Sequence, residues 1–201
     1  MDLTEELRRR WVNTLPDALE LGEELIGRYA EPQRVYHDGR HLLDVLEAVD
    51  ALGALADDPA TVKLAAWFHD AVYQVGAGDN EEQSALLAQD RLQGRVPDPT
   101  AVARLVRITA THDPGGDRDA MVLCDADLAV LGAPAGRYAQ YAEEIQREHA
   151  AVPVTTFGRE RAAVLRTLLE RPHLYSTEPA RERWERQARL NIAHEVSRLP
   201  G

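Results

Sequence analysis

The sequence predicts an all-α, single-domain protein, on three observations: apolar residues recur at helical spacing along most of the chain, no stretch alternates convincingly with period two, and the glycine- and proline-rich breaks are too short to act as interdomain linkers. The clearest helix carries Leu42, Val45, Leu46, Val49 and Leu52 at the i, i+3, i+4 spacing of a buried face. A second repeats the pattern through Val62, Ala65 and Ala66 to Phe68, with Pro59 at a natural helix start.

The remaining helices are expected over Thr4–Asn13, Pro16–Tyr29, Asn80–Gln93, Pro99–Thr109, Ala135–Ala150, Phe157–Glu170 and Ala180–Ser197. Val72-Tyr73-Gln74-Val75 is too short to carry a sheet. Turns fall at Gly76–Asp79, Asp113–Asp117 and Gly132–Pro134, where glycine and proline supply backbone shapes a helix lacks. The expected domain spans 1–201, about eight to ten helices by this pattern reading, with a chemistry-bearing core at 36–132 and C-terminal helices at 135–197.

With 44% apolar and 28% charged residues, the composition is that of a folded globular chain. No apolar run approaches the roughly 20 residues of a membrane span. The start, Asp2-Leu3-Thr4-Glu5-Glu6, is acidic where a secretory signal would be basic and then apolar. The single cysteine, Cys124, cannot form an internal disulfide, so a cytoplasmic protein is expected. A net charge of −11 argues against a broad nucleic-acid-binding surface but permits a small phosphorylated substrate, where local arginines or a metal supply positive charge. Oligomeric state stays open, a homo-oligomer included.

Three places set His and Asp in apolar surroundings. His41 continues the Val45/Val49 line backward, with His37 one turn earlier in Tyr36-His37-Asp38-Gly39-Arg40-His41. His69-Asp70 interrupts Ala65-Ala66-Trp67-Phe68 and Ala71-Val72-Tyr73, and a carboxylate buried there without compensation costs several kcal/mol. Asp125 and Asp127 interrupt Met121–Leu131, a run without Lys or Arg. Two imidazoles and two carboxylates drawn from three helices suit a divalent cation, Mn²⁺, Fe²⁺, Co²⁺, Ni²⁺, Mg²⁺ or Zn²⁺, and one cysteine rules out a thiolate cage. His69 and Asp70 diverge by about 100° on a helix, so both reach one ion only near the helix end.

The order His, His-Asp, Asp resembles the motif of the HD superfamily, carried here by His41, His69-Asp70 and Asp125 or Asp127. The wider pattern is similar to the bacterial subfamily described as predicted metal-dependent HD phosphohydrolases. It runs through Tyr36-His37 with His41, Trp67–Tyr73, Asp79-Asn80-Glu81 with Ser84-Ala85, Thr109–His112, Asp125–Leu128, Tyr138 and Tyr141, Gly158-Arg159, and Glu185 with Ala188-Arg189 and Asn191.

The resemblance implies an HD-type helical bundle and a metal-dependent phosphohydrolase that cleaves a phosphate ester of a nucleotide or other small metabolite. Its ligands would be His41, His69, Asp70 and one aspartate. Ala126-Asp127-Leu128, similar to the metal-binding Ala-Asp-Leu of cyclic-nucleotide phosphodiesterases, favours Asp127, and Asp125 fits if the segment shifts. A bound ion would lower the pKa of a water and polarise a phosphoryl oxygen, with Asp70 orienting the nucleophile. Glu81 or His112 would protonate the leaving oxygen. His37 and His112 would supply any second metal position, and Arg40 and Arg159 would hold substrate phosphate. The subfamily's Ile-Arg and Glu-Tyr stand here as Ile145-Gln146-Arg147-Glu148-His149, so Arg147 would substitute for its arginine. Two further classes stay open: a di-iron oxygenase-like metalloenzyme and a non-catalytic metal-binding regulatory domain.

Overall fold

The computed structural model describes residues 2–200; Met1 and Gly201, the ends of the expected 1–201 span, lie outside them. The described residues form one compact, all-helical domain without strands. The chain enters through α1 (Leu3–Thr14) and α2 (Leu19–Tyr29), followed by α3 (Gly39–Leu52), α4 (Pro59–Phe68), α5 (Asn80–Leu92), α6 (Pro99–Ile108) and α7 (Arg118–Asp127). A 3₁₀ turn at Leu128–Gly132 leads to α8 (Ala135–Glu148) and α9 (Val154–Glu170). The last stretch combines α10 (Glu178–Ala180), a π turn at Arg181–Glu185 and α11 (Arg186–Val196).

Local chemistry sets several of the starts. Asp58-Pro59 and Asp98-Pro99 pair a capping carboxylate with proline at the first helical position: Asp58 accepts from the Ala60 and Thr61 amides, and Asp98 from Thr100 and Ala101. Asp38 caps α3 through the Arg40 and His41 amides, which fixes the register of His41. The expected Pro16 start is corrected to Leu19. There Leu15 and Ala18 form a turn, and the Ala18 carbonyl, which accepts the first helical amides from Leu21 and Gly22, also accepts from the Trp11 indole at 2.9 Å.

The core gathers the apolar faces of α1 to α7 around Trp11 and Trp67, whose rings meet edge to face at 5.1 Å. Further helices cover it from the C-terminal side. Asn191 on α11 donates to the Leu131 and Ala133 carbonyls at 2.8 and 2.9 Å, and the π turn seats Trp184 against Gly132. A Cβ added at Gly132 would lie 2.4 Å from the Trp184 Cβ and 2.9 Å from its backbone Cα and O. Gly132→Ala is therefore expected to destabilise the fold by about 2 kcal/mol, lowering the melting temperature by roughly 5 °C. Gly27→Ala on α2, where nothing lies within 4 Å, is expected to be neutral or stabilising in the same thermal melts.

Candidate metal centre

His41 sits in the first turn of α3 with its side chain buried. His69 caps the C-terminal end of α4 and Asp70 follows it outside the helix, at the helix end where both side chains reach one point. Asp127 is the last residue of α7. These three helix ends meet. The Nε2 atoms of His41 and His69 stand 3.0 Å apart. Asp70 Oδ2 lies 3.3 and 3.2 Å from them, and Asp127 Oδ1 lies 3.3 and 3.6 Å away.

Nδ1 of His69 is 2.8 Å from the Ala66 carbonyl, so that nitrogen carries the proton and Nε2 is left to act as a donor atom. Divalent ions bound at about 2.1 Å hold neighbouring donors about 3.0 Å apart in octahedral and about 3.4 Å apart in tetrahedral geometry. The spacings here fall around those values. Ligand atoms of His41, His69 and Asp70 lie within 4.8 Å of one another, and the imidazole contacts of Asp127 bring in a fourth group. Neither Lys nor Arg forms an ion pair with Asp70 or Asp127 among the described residues. The donor set of His41, His69 and Asp70 and its spacing fit a divalent cation, with Asp127 in contact with both imidazoles.

Electrostatics follows from that convergence. Burial opposes protonation of His41, but the Asp127 and Asp70 carboxylates outweigh it and carry the imidazole up to about 9. His69 is raised in the same direction against its own burial, chiefly by Asp70. Burial would likewise raise both acids, yet the imidazoles hold Asp70 and Asp127 well below the usual carboxylate range.

The other aspartate goes elsewhere. Two residues along a helix are about 200° apart, so Asp125 points away from the cluster. Its oxygens accept from the Ser176 amide, the Thr177 amide and the Thr177 hydroxyl, each at 2.7 Å. Burial raises its pKa despite those donors. Asp125 fastens the 176–177 segment and does not join the histidines.

His112 and His37 flank the cluster on different supports. His112 has a positive φ of 49°, a backbone shape that few side chains adopt, and its Nε2 is 2.8 Å from Asp127 Oδ2. Arg171 fixes that turn by donating to the Thr111 and His112 carbonyls. His37 Nδ1 is 2.6 Å from Glu148 Oε2, which also accepts from the Tyr73 hydroxyl at 3.0 Å. The other Glu148 oxygen accepts the amides of Val35, Tyr36 and His37. Burial pushes the Glu148 carboxyl up, but His37 and those amides bring it down to about 2.

Arg34 completes the support. Its side chain is fully buried and donates to the carbonyls of His37, Asp70 and Ala71, stitching the approach to α3 onto the segment after α4.

Two clefts open beside Asp127 and share Tyr36 and Val130. One, of about 380 Å³, is bordered by His41, Asp44, Arg137, Arg183 and Trp184. The other, of about 460 Å³, is bordered by His37, Tyr73, His112, Tyr141, Phe157 and Arg161. Arg40, Arg147 and Arg159, the arginines expected at the substrate, are exposed and line neither cleft. Glu81, expected as an acid, lies in the first turn of α5 and lines neither cleft.

The residues that sequence reading passed over have unequal signals. Glu148 continues the buried Tyr138, Tyr141, Ile145 stripe of α8, and Arg161 falls beside Gly158, Ala162 and Leu165 on α9, so each is a charge in an apolar register. Arg34 lies in a turn without periodicity and carries no such signal.

Compared with protein-family models, curated proteins and solved structures, the chain matches none of them. No helix among the described residues is long and apolar enough to cross a membrane.

Proposed function

We propose that the chain is a metal-dependent hydrolase of phosphate esters, with His41, His69, Asp70 and Asp127 holding a divalent cation. One observation carries the reading: two imidazoles and two carboxylates from three helix ends converge, without a lysine or arginine among the described residues to pair them, beside two clefts. The ordered resemblance to HD phosphohydrolases supports the same reaction class. When bound, such an ion supplies Lewis acidity toward a phosphoryl oxygen and makes a water acidic enough to attack at neutral pH.

The side chains divide the remaining work. Asp70 and Asp127 orient the attacking water through hydrogen bonds. His112, against the outer oxygen of Asp127, keeps that carboxylate turned toward the imidazoles. The leaving oxygen needs a proton, and His37 suits that role better than Glu81. With Nδ1 donating to Glu148, Nε2 is the nitrogen left to carry the transferable proton, and the ring borders the cleft, stacked on Tyr73 at 4.2 Å. Glu148 is the positioning residue for that ring.

Purified protein loaded with Mn²⁺ or Co²⁺ and offered a panel of phosphate mono- and diesters tests the reading. Turnover that disappears with chelator and returns on reloading is expected. An inert Mn²⁺ and Co²⁺ form, together with oxygen consumption by the iron-loaded protein, would favour oxygenase chemistry. Failure to take up any of these ions at stoichiometric level would leave a regulatory domain.

A further inference from the structure

Arg161 occupies a position unlike that of any other arginine in the chain. Its side chain is 12% exposed, yet it borders the larger cleft together with Asp127, His112 and His37. Nε donates to Glu195 Oε1 at 2.9 Å, and Nη2 donates to the Tyr141 hydroxyl at 2.9 Å and more weakly to Glu195 Oε2. The Tyr138 hydroxyl donates to Glu195 Oε2 at 2.5 Å, and the guanidinium carbon lies 5.0 Å from the centre of the Tyr141 ring. One edge of the planar fork is therefore locked by α8 and α11.

The remaining nitrogen, Nη1, carries two N–H donors. None of the described residues accepts from it, and it keeps some exposure to solvent on a side chain that borders the larger cleft. A guanidinium whose orientation is already fixed loses little entropy when it binds an anionic oxygen. Around it the cleft is apolar and aromatic, with Tyr73, Ile145, Phe157 and Val164 on its wall. Besides Asp127, the cleft has one other carboxylate, Glu160, which is exposed. The neighbouring cleft lacks such a group: Arg137 is divided between Asp44 at 3.5 Å and Glu144 at 3.1 Å, and Arg183 is exposed beside Trp184.

We propose that Arg161 is the anion anchor of the larger cleft, receiving a phosphate oxygen of an ester whose aromatic or apolar body lies against Tyr73 and Phe157. The phosphate identity rests on the hydrolase reading, whereas the anion contact stands on the locked fork and its open nitrogen. Ligands of this class are aryl or nucleoside phosphates, in which an apolar ring and a dianion are joined by a short link.

Calorimetry on the chelator-treated full chain separates the anion contact from any metal contribution. Phenyl phosphate is expected to bind at least tenfold more weakly to Arg161→Met and by a smaller factor to Arg161→Lys, which keeps the charge and loses the fork. Benzyl alcohol, a ring without the anion, should bind all three proteins alike. Equal phenyl phosphate affinity in wild type and Arg161→Met would overturn the proposal, as would an equal loss for benzyl alcohol. Should Arg161→Met not fold, wild-type crystals soaked with tungstate decide: an anomalous peak within hydrogen-bond reach of Arg161 supports the anchor, and a cleft empty while tungstate binds elsewhere refutes it. Phosphate esters that bind through Arg161 but are never cleaved by the Mn²⁺ form would sink the hydrolase reading and leave the anchor standing.

Discussion

Asp127→Ala is expected to weaken Mn²⁺ binding by at least 100-fold and to reduce hydrolysis to background, while Asp125→Ala should leave metal affinity within about threefold of wild type. The two residues share a helix turn and a side-chain type, yet their oxygens meet different partners. Asp127 faces both imidazoles and His112, so its removal takes a donor from the cluster and frees His112 from its anchor. Asp125 meets only the 176–177 segment in this register. Its loss leaves two amides and a hydroxyl without their acceptor, and folding stability should fall by about 3 kcal/mol. Titration calorimetry with Mn²⁺ and thermal melts of the metal-free proteins read the two effects independently. If Asp125→Ala loses the metal and Asp127→Ala keeps it, the ligand assignment is wrong.

The second large effect concerns pH and reverses between the metal-free and metal-loaded protein. In the metal-free state His41 is raised to about 9 from an unfolded value near 6.5, because its carboxylate neighbours favour the charged ring. That contribution is fully present below about pH 6.5 and is lost as pH rises through 9. Asp70 and Asp127 shift downward, so their contribution is present above about pH 4 and is lost only in stronger acid. Metal-free protein should accordingly be most stable between about pH 4 and 6.5 and lose about 3 kcal/mol by pH 9 to 10 from His41 alone.

An ion requires the same imidazoles unprotonated, so it exchanges for up to two protons with little change in net charge. Metal affinity should rise steeply from pH 6 to 9, and loaded protein should gain stability where the metal-free form loses it. Melts with and without Mn²⁺ across this range check the crossing. Parallel curves would mean that proton and metal do not compete for the same nitrogens.

Most helices were legible because each carries its own periodic stripe and two carry an Asp-Pro start, both local properties. The grouping of His41, His69 and Asp70 was also legible, since polar residues inside apolar runs need an unusual partner. The choice between Asp125 and Asp127 was not. Helical geometry says only that they diverge, and which one faces inward depends on how α7 is rotated against α3 and α4. The expected arginines lie outside both clefts for a similar reason. Arg40, Arg147 and Arg159 stand near motif residues in sequence, but their helices turn them to solvent, while Arg161, two positions along from Arg159, is carried into the wall. Arg34 depends on contacts 36 and 37 residues away, beyond the reach of any local pattern.

The expected division into a core at 36–132 and appended helices beyond 135 hides a dependence that runs backward along the chain. Glu148 caps the amides ahead of α3, and the 176–177 segment supplies the hydrogen bonds to the Asp125 carboxylate on α7. A fragment ending at Gly132 would contain all four proposed ligands and still lack the groups that hold two of their three carriers in place. During synthesis, the segments bearing the proposed ligands leave the ribosome first and wait for their braces, so the grouping of these side chains matures only after the chain through Thr177 has emerged.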